Sequence, residues 1–202
     1  MARVIAFANQ KGGVGKTTTA VSVASFMALA NKKVLLIDAD PQANATSNLG
    51  INGKELERGV YDVLIGQMAL REVLFQSPVE GLHIAPATMA LAGATVELVP
   101  LERREFRLHE AVQSVLYYYD FIIIDCPPSL DLLTINALVA ANEVIVPVQC
   151  EYFALEGLGQ LLNTIQLVQQ NLQPNLKIAG AVVTMYDKRN SLSKEVMAEL
   201  EK

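Results

Sequence analysis

Residues 9–19 read Asn-Gln-Lys-Gly-Gly-Val-Gly-Lys-Thr-Thr-Thr, directly after the short apolar run Val4–Ala8. Three glycines in four positions (Gly12, Gly13 and Gly15) let the backbone adopt angles other residues reach only at a cost. Amides freed in that way can turn inward and wrap an anion. Small and apolar residues at helical spacing follow over 16–30 (Ala20, Val23, Ala24, Met27, Ala28). A strand, a glycine loop and a helix therefore come in the order that aims a helix N-terminus at a phosphate. In such a loop Lys16 would reach β- and γ-phosphates and the Thr17 hydroxyl would ligate Mg²⁺, with Gly12, Gly13, Val14, Gly15 and Thr18 completing the wrap. The common GxxxxGK[ST] spacing would place its first glycine at Gln10. This chain instead has a second lysine, Lys11, at the loop entrance. A lysine there cannot easily curl onto its own loop's phosphates, but it is well placed to reach a phosphate held by a partner chain.

Further apolar runs extend the pattern. Val34–Ile37 ends in Asp38-Ala39-Asp40-Pro41, and Phe121–Ile124 ends in Asp125-Cys126-Pro127-Pro128. Leu82–Ala85, Val144–Val148 and Ile178–Thr184 read as strands, and 102–117, 130–141, 155–171 and 193–200 as helices. Strands alternating with helices predict an α/β fold, a doubly wound and mainly parallel sheet flanked by helices. In such sheets ligands gather beyond the carboxyl ends of the strands. The glycine loop, Asp38–Gln42 and Asp125–Ser129 all fall there. Asp125 closes a Walker B pattern, and an acid there can hold the water shell of Mg²⁺. The following prolines stiffen a segment suited to sensing a γ-phosphate. Three acids near one metal would repel each other without the cation, Lys16 and the loop amides.

Composition agrees. Half of the 202 residues (51%) are hydrophobic and 18% are charged, as suits a sheet buried on both faces. A net charge of −5 excludes a uniformly basic nucleic-acid glove but leaves room for a local basic patch. The two cysteines, Cys126 and Cys150, form no CxxC pair, so neither a disulfide framework nor a zinc site is expected, and a reducing cytoplasm fits. His83 and His109 have no matching partners for a nucleophilic triad. We find no signal peptide, repeat or membrane span and expect one domain over 1–202.

KGGVGKTT, DADPQ and IIIDCPPS together resemble the deviant Walker-type ATPases. Residues 84–99 (IAPATMALAGATVELV) and 147–162 (PVQCEYFALEGLGQLL) narrow the resemblance to the ParA/Soj chromosome and plasmid partition proteins. That resemblance implies an ATP-hydrolysing, Mg²⁺-dependent homodimer with two sandwiched nucleotides. Lys11 matches the signature lysine that contacts the opposite subunit's nucleotide, and Gly12 a position at the dimer interface. Asp40 matches the residue that orients the attacking water, and Asp38 one that supports the metal shell. The family couples ATP to cooperative, non-specific DNA binding, with hydrolysis stimulated by a ParB-type partner and release from the nucleoid. Arg189 matches a DNA-binding position, and Lys188 adjoins it. Two such residues per subunit would give four charges on one dimer surface, with salt-sensitive binding. Family members continue beyond the helix in which Lys202 falls, so an adenine-recognising C-terminal segment is expected to be missing. Rival readings are a MinD-like membrane-cycling ATPase, an iron–sulfur reductase component, an ATP-dependent ligase and an inactive adaptor. No stable membrane association is expected.

Overall fold

The computed structural model describes residues 1–53, 55–151 and 154–200. Tyr152 and Phe153, inside one of the stretches that carry the partition resemblance, lie outside the described residues, as does the chain end at Lys202. Seven strands form one sheet: β1 (Arg3–Phe7), β2 (Val34–Asp38), β3 (Phe75–Gln76), β4 (Leu82–Ala85), β5 (Phe121–Asp125), β6 (Glu143–Gln149) and β7 (Lys177–Thr184). Their order is β3-β4-β2-β5-β1-β6-β7. Every pairing is parallel except the antiparallel β3–β4 pair.

The central strands are apolar throughout because both faces are covered. Side chains alternate between two cores, as the period of two requires. Ile5, Phe7, Leu36, Ile84 and Ile123 pack on one face against Ala20, Ala24 and Ala28 of α1 (Lys16–Leu29). Alanines at every fourth position let that helix approach the sheet closely, while Phe26 and Leu29 point to solvent. On the other face Val4, Ala6, Leu35, Ile37, Ile122 and Ile124 meet the remaining large core. It includes α3 (Val60–Leu64), α4 (Leu91–Glu97), α5 (Arg107–Gln113) and α6 (Leu132–Ala140). Each large side chain fully buried in these layers contributes about 1.5–3 kcal/mol.

Several expectations needed adjustment. The helix expected over 102–117 is a 3₁₀ turn at Arg104–Phe106 followed by α5 alone. Arg103, in the left-handed region at φ 52, breaks the start, and the run from Val115 to Tyr119 supplies β-branched and aromatic residues that continue a helix poorly. The two-residue edge strand β3 and three short helices, α2 (Asn44–Asn48), α3 and α4, were too brief to leave a periodic signal. The helices α7 (Ala154–Asn171) and α8 (Ser191–Leu200) fall where expected. Both histidines are satisfied structurally, His83 with the Tyr119 hydroxyl at 3.0 Å and His109 with the Val139 carbonyl at 3.1 Å. Both cysteines are free and buried. Among the described residues no helix is long and apolar enough to cross a membrane.

Candidate functional site

The register of the sheet assembles the site. Phe7 and Asp125 are partners across β1–β5, and Asp38 and Asp125 across β2–β5. Three strands therefore end at one level, and the loop after β1 rises above two aspartates set side by side. Gly13 and Gly15 take φ values of 74 and 81, in the left-handed region where a side chain is strained. Gly15 then caps α1, so the first amides of a 14-residue helix face the loop's hollow.

Lys16 opens that helix and is 6% exposed. Its ammonium donates to the Lys11 carbonyl at 3.0 Å. Burial lowers its pKa, and the carboxylates of Asp125 and Asp40 oppose that shift. A buried ammonium that leans on a single carbonyl has donors to spare for an anion.

The acids differ from one another. Both oxygens of Asp125 are buried without a hydrogen-bond partner. The Thr17 hydroxyl lies close enough to favour the charged form but does not make a bond of good geometry. Burial, and next the neighbouring charge of Asp38, push the Asp125 carboxyl up to about 7. Orphaned carboxylate oxygens are costly, and a cation with its water shell would satisfy them. Asp38 is also buried, and burial raises it to about 6. Its oxygens accept from the Thr46 amide (2.8 Å), the Thr46 hydroxyl (2.7 Å) and the Asp40 amide (3.2 Å). Asp38 thus ties β2 to α2 and fixes the turn that carries Asp40. Asp40 accepts from the Gln42 amide at 2.9 Å through one oxygen, and burial raises its pKa. Among the described residues no three acidic, histidine or cysteine side chains converge as a metal cage. The expected metal set of Thr17, Asp38 and Asp125 contains two acids, both at strand ends in this register, and a cation there would draw its remaining ligands from waters and phosphates.

A cavity of about 370 Å³ opens over this ensemble, bordered by Gly12, Gly13, Gly15, Lys16, Thr17 and Thr18 on one side and by Asp40 on the other. Its rim also includes Gln42, Asn44, Asn48, Pro128 and Met185. Of these, Gln42 and Pro128 lie in the quoted motifs. Asn44, Asn48 and Met185 come from short or irregular segments without a period to reveal them. A larger cavity of about 560 Å³ involves Lys33, Gly81 and His83, at the opposite ends of the strands, and has none of this chemistry.

The loop is also braced from β6 and β7. Asn9 donates to the Pro147 carbonyl at 2.7 Å and accepts from the Lys11 amide at 3.0 Å. The Lys11 ammonium pairs with Glu151. The Thr184 hydroxyl donates to the Val14 carbonyl at 2.8 Å. Neither brace was foreseen, since each joins residues about 140 or more positions apart.

Lys188 and Arg189 lie in the exposed turn between β7 and α8. Arg189 is 85% exposed and makes a two-pronged contact with Asp187, at 3.0 and 2.9 Å. The pairing raises the arginine's pKa and lowers the aspartate's. Asp187 thus offsets one of the two cations in this turn. The neighbouring Met185 reaches the rim of the cavity, so the turn is joined to the site by the backbone.

A glycine loop opening a helix after the first strand, an acid closing a neighbouring strand and a second lysine at the loop entrance define a P-loop nucleotide-binding protein of the deviant Walker class. Comparison narrows the class. A family model for the AAA domain matches residues 2–178. The sporulation initiation inhibitor protein Soj of Bacillus subtilis is 53% identical over 202 residues, covering 100% of this chain and 80% of that protein. The chromosome partitioning protein ParA of Myxococcus xanthus is 50% identical, covering 98% of this chain and 70% of its own length. A crystal structure described as cobyrinic acid a,c-diamide synthase from Mycobacterium smegmatis, with bound ADP and magnesium, superposes with a TM-score of 0.95 at 44% identity. It is covered over 82% of its length by the whole of this chain. The chain belongs to the ParA/Soj family of partition ATPases.

Proposed function

We propose that this chain binds Mg²⁺ and ATP in the 370 Å³ cavity, closes as an ATP-dependent homodimer and hydrolyses the nucleotide to time its hold on DNA. The observation that carries this reading is the unpartnered Asp125 carboxylate buried beside Lys16 and Thr17 at the foot of the glycine loop. The amides of Gly12–Thr18 wrap the triphosphate, and Lys16 leaves the Lys11 carbonyl for the β- and γ-oxygens. Thr17 and Asp125 would hold the metal and its waters, with Asp38 supporting that shell. Magnesium, when bound, would neutralise charge on the phosphate oxygens. Asp40, with one oxygen fixed by Gln42, uses the other to orient the attacking water, while Asp38 holds Asp40 in place. Lys11 reaches across to the partner's nucleotide. Phosphoryl transfer asks for positioning and charge neutralisation and little covalent help.

In the ATP state Lys188 and Arg189 would grip DNA phosphates without sequence preference, and a ParB-type partner would stimulate turnover and release. Such a cycle places the chain in the cytoplasm on the nucleoid, without stable membrane attachment. The ADP and magnesium bound by the 44% identical structure support the cofactor assignment. Its diamide-synthase description supports a ligase reading, but the Bacillus subtilis and Myxococcus xanthus relatives, at higher identity, carry sporulation and partitioning names. Sedimentation velocity with Mg·ATP or Mg·ADP, alongside phosphate release, tests the proposal. A dimer with ATP, a monomer with ADP and magnesium-dependent turnover are expected. A monomer in both states, or no phosphate release, would overturn it.

A further inference from the structure

The geometry points to Glu151 as a positioning residue that holds the Lys11 ammonium outside its own subunit's cradle, so that it is presented to a second copy of this chain. The inference rests on the proposed contact of Lys11 with the partner's nucleotide. It is carried by a separate set of contacts.

Two ties cross the gap between the loop entrance and the end of β6. Asn9, buried at 4% exposure, donates to the Pro147 carbonyl and receives the Lys11 amide. That fixes the backbone of residue 11. The side chain is fixed separately, because its ammonium pairs with Glu151, just beyond β6. The two side chains are 30% and 46% exposed, so the pair is partly shielded from water.

The need for such a tie follows from electrostatics. A lysine has a flexible four-carbon stem and a compact charge. A triphosphate in the neighbouring cradle would attract it, and at short range in a partly dry site that attraction is large. Lys16 already occupies the interior, with its ammonium on the Lys11 carbonyl. The loop entrance disfavours a curl of Lys11 onto its own phosphates, but without an anchoring anion its flexible stem would leave the ammonium spread over many positions, few of them facing a partner. Glu151 supplies that anion on the β6 side. In a closed dimer the ammonium exchanges this one carboxylate for the partner's phosphates, a transfer that a partly exposed pair allows because such pairs hold weakly.

The test compares Glu151→Gln, Lys11→Ala and the double variant in the full chain. Binding of a fluorescent ATP analogue is measured at concentrations where the chain is monomeric, and the dimer dissociation constant with Mg·ATP by sedimentation equilibrium. Glu151→Gln is expected to bind the analogue within about twofold of the wild type and to weaken the dimer on the order of three- to fivefold, the scale of one partly shielded ion pair. Added to Lys11→Ala, it is expected to cost nothing more, because it acts only through that lysine. Unchanged dimerisation, a full additional loss in the double variant, or lost analogue binding by Glu151→Gln would each overturn the inference. If Lys11→Ala itself dimerises normally, the trans-lysine reading fails as well. If Lys11→Ala is defective while Glu151→Gln is silent, only the role of Glu151 falls.

Discussion

The loop after β1 and the turn after β7 both carry cations, and they hold them in opposite ways. Lys16 is buried at a helix start, leans on one carbonyl and faces an unpartnered carboxylate. Arg189 stands in solvent with both prongs on Asp187. Charges in the first region are left short of partners by the fold itself, so a ligand there replaces something missing. Charges in the second are already paired, and a ligand must compete with Asp187. Buried, unsatisfied groups make strong and specific sites, whereas screened surface pairs make weak, salt-sensitive ones.

The largest effect should come from the first region. Lys16→Ala is expected to reduce ATP affinity about 100-fold or more in a fluorescent-nucleotide titration, because it removes a desolvated charge-assisted contact. A loss below about fivefold would mean that the amides alone do the binding. Asp40→Ala should keep ATP affinity within a few-fold and lower phosphate release about 100-fold, the scale for losing one positioning group. Normal turnover would reassign the water-orienting role.

Asp125 sharpens the contrast through pH. Its carboxyl sits at about 7 and that of Asp38 at about 6, both above the unfolded range near 4. Between those limits the folded chain binds more protons than the unfolded one. The stability this confers is complete below about pH 4 and fades as pH rises through 6 and 7. The nucleotide-free chain should therefore melt at a higher temperature at pH 5.5 than at 7.5, and Mg·ATP, which favours the charged form, should narrow the difference. Asp125→Asn should raise the melting temperature of the nucleotide-free chain at pH 7.5 by about 3 °C, which corresponds to ~1 kcal/mol in a chain of this size, and remove the response to magnesium. A nucleotide-free chain that melts higher at pH 7.5 would contradict the buried-carboxyl account.

Effects in the second region should be smaller. Arg189→Ala is expected to weaken DNA binding about fivefold at low salt and flatten the salt dependence, with ATP affinity unchanged. Asp187→Asn should strengthen DNA binding about two- to threefold by freeing the arginine. If Asp187→Asn weakens it, the carboxylate orients Arg189 and does not compete for it.

The same contrast explains what could be read from the chain alone. Asp38 and Asp125 end apolar runs, so their gathering at the carboxyl ends of the strands was legible in composition and punctuation, while the strand order that pairs them was not. The glycine loop was legible because its demand for unusual backbone angles leaves few alternatives. Thr46, which holds Asp38, comes from a five-residue helix with no period to detect. Glu151 and Thr184 reach the loop across most of the chain, a relation that local pattern does not encode. Asp187 was visible beside Lys188 and Arg189, but whether neighbouring charges pair or diverge depends on a turn's backbone and not on spacing.

The central claim is that occupancy of the cradle governs the turn beyond β7. Co-sedimentation of the chain with plasmid DNA in Mg·ATP, in Mg·ADP and without nucleotide tests it most directly. We expect the chain to pellet with DNA in ATP alone and to lose that binding as salt is raised; equal pelleting in all three conditions, or none in any, would contradict it.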